Sequence, residues 1–205
     1  MKIKQYTSRE EWLEARLGKI TGTRVKDLIN KRATKPKKGF WEILAERVAV
    51  PHNGENVMDR GIRLEEEAVA RFVQATGKRV NTDLVIWEHE DDPNIAISPD
   101  GYIEPTEGKL ITEAVEAKCL NSAAHCEAYI TKQIPDEYEY QVIQYFVVNP
   151  DLQTLYFLFY DPRCPKDFFY VTVERKDREP VIEECIEAEV NALALLEEYE
   201  QLISF

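Results

Sequence analysis

The chain predicts an α/β sandwich built around a mixed central β-sheet, and three observations carry that prediction. Helical periodicity fills the first third of the sequence. Short runs rich in β-branched residues then take over, bounded by turn signals. Two helical patterns, two more strand-like runs and a long final helix complete the order. A length of 205 residues suits one domain, or one domain with a helical extension, and a 44% hydrophobic content is ample for its core.

Each element has its own warrant. Ser8 followed by Glu11 has the Ser-x-x-Glu form of a capping box, which starts a helix over about 9–17. Thr21 or Thr23 caps a second helix reaching about 30. The basic stretch "KRATKPKKGF" contains Pro and Gly and reads as a loop; a third helix fits 40–50, and "PHNGEN" is a turn. A fourth helix fits 57–76 and stops at Gly77, in the position just past a helix end. "KRVNTDLVIWE", "IAISPDGYIE" and "ITEAVEAKCL" read as strands, separated by "EDDPN" and "EPTEGK". Helices return at 121–130 and 136–148, and "TLYFLFY" and "FFYVTVE" are two further strands. A helix over about 180–203 closes the chain, with Ile182, Cys185, Ile186, Leu193 and Leu196 near one face.

Charge is unevenly spread. The net charge of −12, taken alone, argues against a nucleic-acid partner. Yet residues 24–47 hold Arg24, Lys26, Lys31, Arg32, Lys35, Lys37, Lys38 and Arg47 against few acids, so an acidic total can hide a local basic surface. Residues 182–204 are glutamate-rich and contain no Lys or Arg. No run approaches the length of a membrane span and the N-terminus lacks a signal-peptide core, so the expected location is cytosolic, without a membrane partner. Cys119, Cys126, Cys164 and Cys185 show no Cys-x-x-Cys spacing and no zinc-finger arrangement with histidines, which points to reduced thiols.

The acids on the strand-like runs raise the chemical question. Side chains alternate along a strand, so Glu116 and Lys118 share one face while Val115 and Ala117 share the other. The turn "EPTEGK" makes the segments around Asp100 and Glu116 hairpin neighbours, bringing two carboxylates together. Such a pair repels itself unless a cation compensates, and oxygen ligands suit Mg²⁺. Lys118 can point at the same spot, to orient or deprotonate a water or to stabilise charge on a phosphate. The alternative is a set of strand-end charges on a solvated face.

Three more groups of polar residues stand in unexpected places. On a helical wheel of 60–76, Glu65 falls inside the stripe of Ile62, Leu64, Ala68, Val69 and Phe72, with Glu66 and Glu67 outside it. It is either a third acid at the metal site or the partner of a core arginine. Gln141 and Tyr145 are neighbours on the face of the 136–148 helix opposite Val142, Ile143, Phe146 and Val147. They either bind phosphate or order a base, or they belong to a half-exposed face. Arg16 lies between the directions of Trp12 and Leu13 and so points inward, near "ITGTR". Guanidinium, hydroxyls and helix N-terminal N–H groups make an anion pocket, unless Arg16 serves a structural ion pair.

"EWLEARLGKITGTRV", "RGIRLEEEAVARF", "ISPDGYI", "VEAKC", "YQVIQYFVV" and "FYDPR" occur in one order over roughly residues 10–175. On these motifs the sequence resembles the phage lambda exonuclease family of viral recombination nucleases, within the PD-(D/E)xK superfamily. The resemblance implies a restriction-endonuclease-like core, a mixed central β-sheet flanked by helices, as one nuclease domain over 1–205 that includes the C-terminal helix. It implies a Mg²⁺-dependent 5′→3′ exonuclease, with two ions per site and Mn²⁺ able to substitute. Such an enzyme degrades one strand of linear double-stranded DNA and leaves a 3′ overhang for single-strand annealing recombination. A homotrimer ring threaded by DNA, a single-strand annealing protein as partner and the cytoplasm of a bacterial host are also implied.

Carried over by motif, Asp100 and Glu116 ligate metal with the Ala117 carbonyl, Lys118 activates the water, and Glu65 is the extra acid. Gln141 and Tyr145 match a Gln-x-x-x-Tyr element, while Arg16, Thr23 and Ser98 form the 5′-phosphate pocket. Thr23 stands where relatives often have Ser, which preserves the hydroxyl. Met58 lies near an apolar wedge position and Arg32 near a DNA-contacting arginine. An endonuclease or repair nuclease of the same superfamily, or an inactive DNA-end-binding protein, are the competing readings. The intact Asp100, Glu116 and Lys118 set argues against inactivity, and Arg16 with Thr23 and Ser98 favours an exonuclease.

Overall fold

The computed structural model describes residues 1–28, 43, 59–106, 109–120 and 122–203 of the chain. At the N-terminus Ser8 Oγ accepts the Glu11 N–H at 3.2 Å and starts α1 (Arg9–Arg16), as its capping box predicts. α2 (Gly22–Leu28) begins directly after Thr21, so Thr21, not Thr23, stands ahead of it. Of the helix expected over 40–50 only Ile43 is described; it is helical and fully buried. The loop at 31–40, the turn at 51–56, and with them Arg32 and Met58, lie outside the described residues. α3 (Asp59–Thr76) ends at Gly77, whose φ of +69° and N–H bond to the Val73 carbonyl close the helix as glycine allows.

Two runs expected as single strands are each broken in two. "KRVNTDLVIWE" gives β2 (Val80–Asn81) and β3 (Val85–Glu88), because the Asn81 side chain accepts the Asp83 N–H at 2.8 Å and turns the chain. "IAISPDGYIE" gives β4 (Ala96–Ile97) and β5 (Gly101–Ile103), parted at Pro99, which has no N–H for a ladder. The halves join different sheets. β3 lies between β4 and β1 (Lys2–Gln5) and pairs with both; β1 is a short exposed edge strand that no sequence pattern announced.

The remaining strands form the central sheet, in the order β2-β5-β6-β7-β8. It comprises β6 (Glu113–Lys118), β7 (Thr154–Tyr160) and β8 (Phe168–Glu174) beside the two short strands. β6 and β7 are parallel and the other pairs antiparallel, which makes the sheet mixed as expected. Between β6 and β7 run α4 (Ser122–Thr131), a 3-10 turn and α5 (Glu139–Val148). The chain closes with α6 (Glu179–Ile203).

Strand alternation sorts the core into two layers. Ala114, Leu155, Phe157 and Phe159 pack with α5 and α6 through Val142, Ile143, Phe146, Ile182, Leu193 and Leu196. Val115, Ala117, Leu158 and Tyr160 face the other way, onto Ala68, Val69 and Phe72 of α3. Full burial of each large apolar side chain contributes about 1.5–3 kcal/mol. Glu116, between Val115 and Ala117, therefore projects toward α5.

α5 is buried on every side from Gln141 to Val148, so the half-exposed face considered for Gln141 and Tyr145 does not exist. The sheet covers one side and α2 and α6 cover others. α2 comes so close that a Cβ on Gly22 would lie 2.4 Å from Ile97 Cδ1 and 3.0 Å from Gln141 Cγ. A side chain at position 22 would force Ile97 and Gln141 to shift.

Candidate active site

The site grows from the break between β4 and β5. Leaving the small sheet at Ile97 and entering the central sheet at Gly101, the chain turns through Ser98, Pro99 and Asp100. Gly101 then pairs with Val115, which brings Asp100 to the level of Glu116 on the neighbouring strand. Asp100 Oδ2 accepts the Ala117 N–H at 2.7 Å. The expected closeness of the two carboxylate segments thus arises, with the hairpin pairing between β5 and β6.

Glu116 is buried and richly held. Gln141 Nε2 donates to its Oε1 at 2.5 Å, the Lys118 ammonium pairs with the same oxygen, and the Tyr145 hydroxyl donates to Oε2. Gln141 and Tyr145 thus act on the acid itself, one helical turn apart on α5. Tyr145 is fully buried, and burial followed by the nearby Glu116 charge pushes its pKa well above the ordinary tyrosine value.

The cleft beside these groups has a volume of about 270 Å³ and is lined by Arg9, Trp12, Arg16, Thr23, Glu65 and Ser98 together with Asp100, Glu116, Lys118 and Gln141. All the predicted site residues with described side chains line this cleft except Tyr145 and Ala117. Arg16 enters from α1 with its guanidinium 4.4 Å from the centre of the Trp12 ring. Thr23 enters from α2, its hydroxyl 3.5 Å from that of Thr21. Ser98 Oγ is buried with no hydrogen-bond partner among the described residues, a donor left for a ligand.

Electrostatics mark the cleft as strained by negative charge. Burial, then Glu116, pushes the Asp100 carboxyl well above its usual range, and burial likewise raises Glu65, the more so for the nearby Glu116. Burial works against the Lys118 ammonium, but Glu116 and Asp100 outweigh it and raise its pKa. Burial lowers the Arg16 pKa while Glu116 and Asp100 pull it back up. Burial pushes the neighbouring Cys119 thiol up to about 12, so it is no nucleophile.

This donor set can hold a hard cation. Asp100 and Glu116 offer carboxylate oxygens, and burial with the Glu116 charge outweighs what Lys118 and the Ala117 N–H give Asp100, a deficit that a divalent ion would fill. Among the described residues no three His, Cys, Asp or Glu side chains form a complete ligand group. A cation would therefore rely on two carboxylates, main-chain oxygen such as that of Ala117, and water, which is the habit of Mg²⁺.

Some lining residues were not foreseen. Arg9 and Trp12 share one face of α1 with the predicted Arg16, at spacings of three and four that the sequence already contained. Glu66, read as lying outside the apolar stripe, also reaches the cleft. Glu67, read likewise, is half-buried and accepts the Tyr160 hydroxyl at 2.8 Å.

A mixed sheet that presents two acids and a lysine beside a buried helix is the core of a restriction-endonuclease-like α/β fold. A family model described as the YqaJ-like viral recombinase domain matches residues 11–150, and the chain belongs to that family, which is lambda exonuclease-like. A solved alkaline exonuclease from Laribacter hongkongensis, LHK-Exo, is similar at 30% identity over 95% of each chain, with a TM-score of 0.82. A crystal structure of LHK-Exo in complex with dAMP is similar at 30% identity, over 94% of this chain and 96% of that one, with a TM-score of 0.76. No curated protein sequence matches. The resemblance drawn from the motifs and the expected fold class are both borne out.

Proposed function

We propose that the protein is a Mg²⁺-dependent 5′→3′ exonuclease that degrades one strand of linear double-stranded DNA and leaves a 3′ overhang. The observation that carries this reading is the convergence of Asp100, Glu116 and Lys118 with Arg16, Thr23 and Ser98 in one cleft. Membership of a viral recombinase family and likeness to a solved exonuclease support it.

The cation, when bound, supplies charge neutralisation and a more acidic water at the phosphodiester. Asp100, Glu116 and the Ala117 carbonyl hold it. Gln141 and Tyr145 fix the Glu116 carboxylate so that its orientation does not drift between turnovers. Lys118 donates hydrogen bonds to the attacking water and to the scissile phosphate. Glu65 stands across the cleft as the additional acid. Arg16, Thr23 and Ser98 seat the terminal 5′-phosphate, which sets the register of cleavage by one nucleotide.

Digestion of linear duplexes with 5′-phosphate or 5′-hydroxyl ends, alongside closed circles, tests this reading. With Mg²⁺, 5′-phosphorylated linear DNA is degraded fastest and circles are spared; EDTA stops the reaction. Rapid cutting of circles would sink the proposal and favour an endonuclease of the same superfamily. Arg16→Ala erases the preference for 5′-phosphate ends, whereas an unchanged preference would count against the pocket.

The whole chain, α6 included, is taken as one nuclease domain. It works as a homotrimer ring in the cytoplasm of a bacterial host and hands its overhang to a single-strand annealing protein. A ring reconciles the net charge of −12 with DNA, since the outside can repel what the channel attracts. Light scattering at micromolar concentration should give a trimer mass, and a monomer there would undercut the ring. Among the described residues no helix is long and apolar enough to cross a membrane.

A further inference from the structure

Arg9 is the cation in the cleft that the mechanism leaves without a task. It is the first residue of α1, it is half-buried, and its guanidinium lies 5.1 Å from the centre of the Trp12 ring. Arg16 lies on the same ring at 4.4 Å. Trp12 is itself fixed, because its indole N–H donates to the Val85 carbonyl at 3.2 Å. One rigid aromatic ring therefore holds two guanidinium groups in place at the mouth of one cleft.

Among the described residues Arg9 makes no ion pair, its contact being with the Trp12 ring. Glu65, Glu66 and Asp83 also line the cleft, and Arg9 and Arg16 both attract Glu65 from a distance. Arg16 in turn feels Arg9 and Arg24 as repulsive neighbours. Two like charges kept close, with no ion pair to a carboxylate among the described residues, are relieved by anions, and a planar guanidinium on an aromatic face suits phosphate.

We infer that Arg9, seated on Trp12, binds an internal phosphodiester of the strand whose 5′-end Arg16 holds. This rests on the DNA-end reading above. Arg16 takes the terminal phosphate because Thr23 and Ser98 stand with it in the cleft, and the terminal group offers the most acceptor oxygens. Arg9, a half-buried cation at the start of the same helix, meets a backbone phosphate that carries one negative charge. Its contact adds affinity and register without reading the end.

The test is binding of a 5′-phosphorylated hairpin duplex and its 5′-hydroxyl counterpart, followed by fluorescence anisotropy in EDTA across a KCl series. Arg9→Met keeps the aliphatic packing on Trp12 and removes the charge; Arg9→Lys keeps the charge. Circular dichroism melting checks that both variants are folded. For Arg9→Met the plot of log affinity against log salt should be shallower by about 1, the loss of one phosphate contact. Affinity for the two duplexes should fall by the same factor, so the preference for 5′-phosphate is kept, and Arg9→Lys should recover the slope.

A normal wild type with an unchanged slope in Arg9→Met would overturn this inference alone. Loss of the 5′-phosphate preference in Arg9→Met would also overturn it, by assigning Arg9 to the terminal pocket. A wild type that does not bind duplex ends would overturn both this inference and the proposed function.

Discussion

Lys118→Ala lowers the rate of duplex digestion by about 10²–10³-fold, the usual loss when a preorganised donor at a developing charge is removed. Binding to a 5′-phosphorylated duplex stays within a few-fold of wild type. The reason is local. Lys118 ends β6 two residues after Glu116 and shares its face, with the side chain 18% exposed at the edge of the cleft. The groups proposed to seat the phosphate come from other elements: Arg16 from α1, Thr23 from α2 and Ser98 from the β4–β5 turn. Removing the lysine therefore leaves the seat in place. Glu116 loses one partner but keeps the Gln141 amide and the Tyr145 hydroxyl. Single-turnover digestion, read beside an anisotropy titration, separates the two effects. Full residual activity would refute the role given to Lys118.

Glu189→Gln is expected to be more stable than wild type at pH 9 and much closer to it at pH 5. Glu189 is 0% exposed in the middle of α6, within the stretch that the sequence marks as glutamate-rich. Gln144 donates to its Oε2 at 3.3 Å and the Cys185 thiol to its Oε1 at 3.6 Å. Burial outweighs both and pushes the carboxyl up to about 8 from an ordinary value of 4.5. Between those two values the folded chain keeps a proton that the unfolded chain has released, so stability falls as pH rises through that window. Below 4.5 both states are protonated and nothing is lost; above 8 the loss is complete, on the order of 5 kcal/mol. A glutamine of the same shape does not titrate. Urea midpoints of both proteins at the two pH values measure the difference. An equal pH dependence in Glu189→Gln would assign the effect to other groups. Gln144 sits between Gln141 and Tyr145 on α5, so this buried contact braces the helix that orients Glu116.

Much of the site was legible in the chain because its signals are local. A capping box at Ser8, a glycine past α3 and strand alternation in "VEAKC" are short-range facts, and each acts in the structure as it reads. The hairpin between the Asp100 and Glu116 segments was legible too, from one turn motif. Glu65 showed itself as an acid in an apolar stripe, and it does face the cleft.

Other features depend on partners distant in sequence. The small sheet of β1, β3 and β4 was not visible, because its strands are short and two of them are halves of longer apolar runs. Gln141 and Tyr145 looked like one face of an amphipathic helix; α2, α6 and the sheet together bury that helix all round. Nothing in the sequence singled out Glu189 among the glutamates of its stretch; the packing of α6 on α5 encloses it.

Residue order alone set which chemistry was present: two acids and a lysine on adjacent strand segments, with an inward arginine and hydroxyls near a helix start. Those follow from periodicities of two and 3.6, which any stretch of backbone obeys. Packing between distant elements settled where the charges sit and what holds them. Pro99 moves the chain from one sheet to the other and sets Asp100 beside Glu116. Gly22 lets α2 press against α5, and burial then couples the acids. Electrostatic strength depends on the loss of surrounding water, and that loss exists only once the layers have closed.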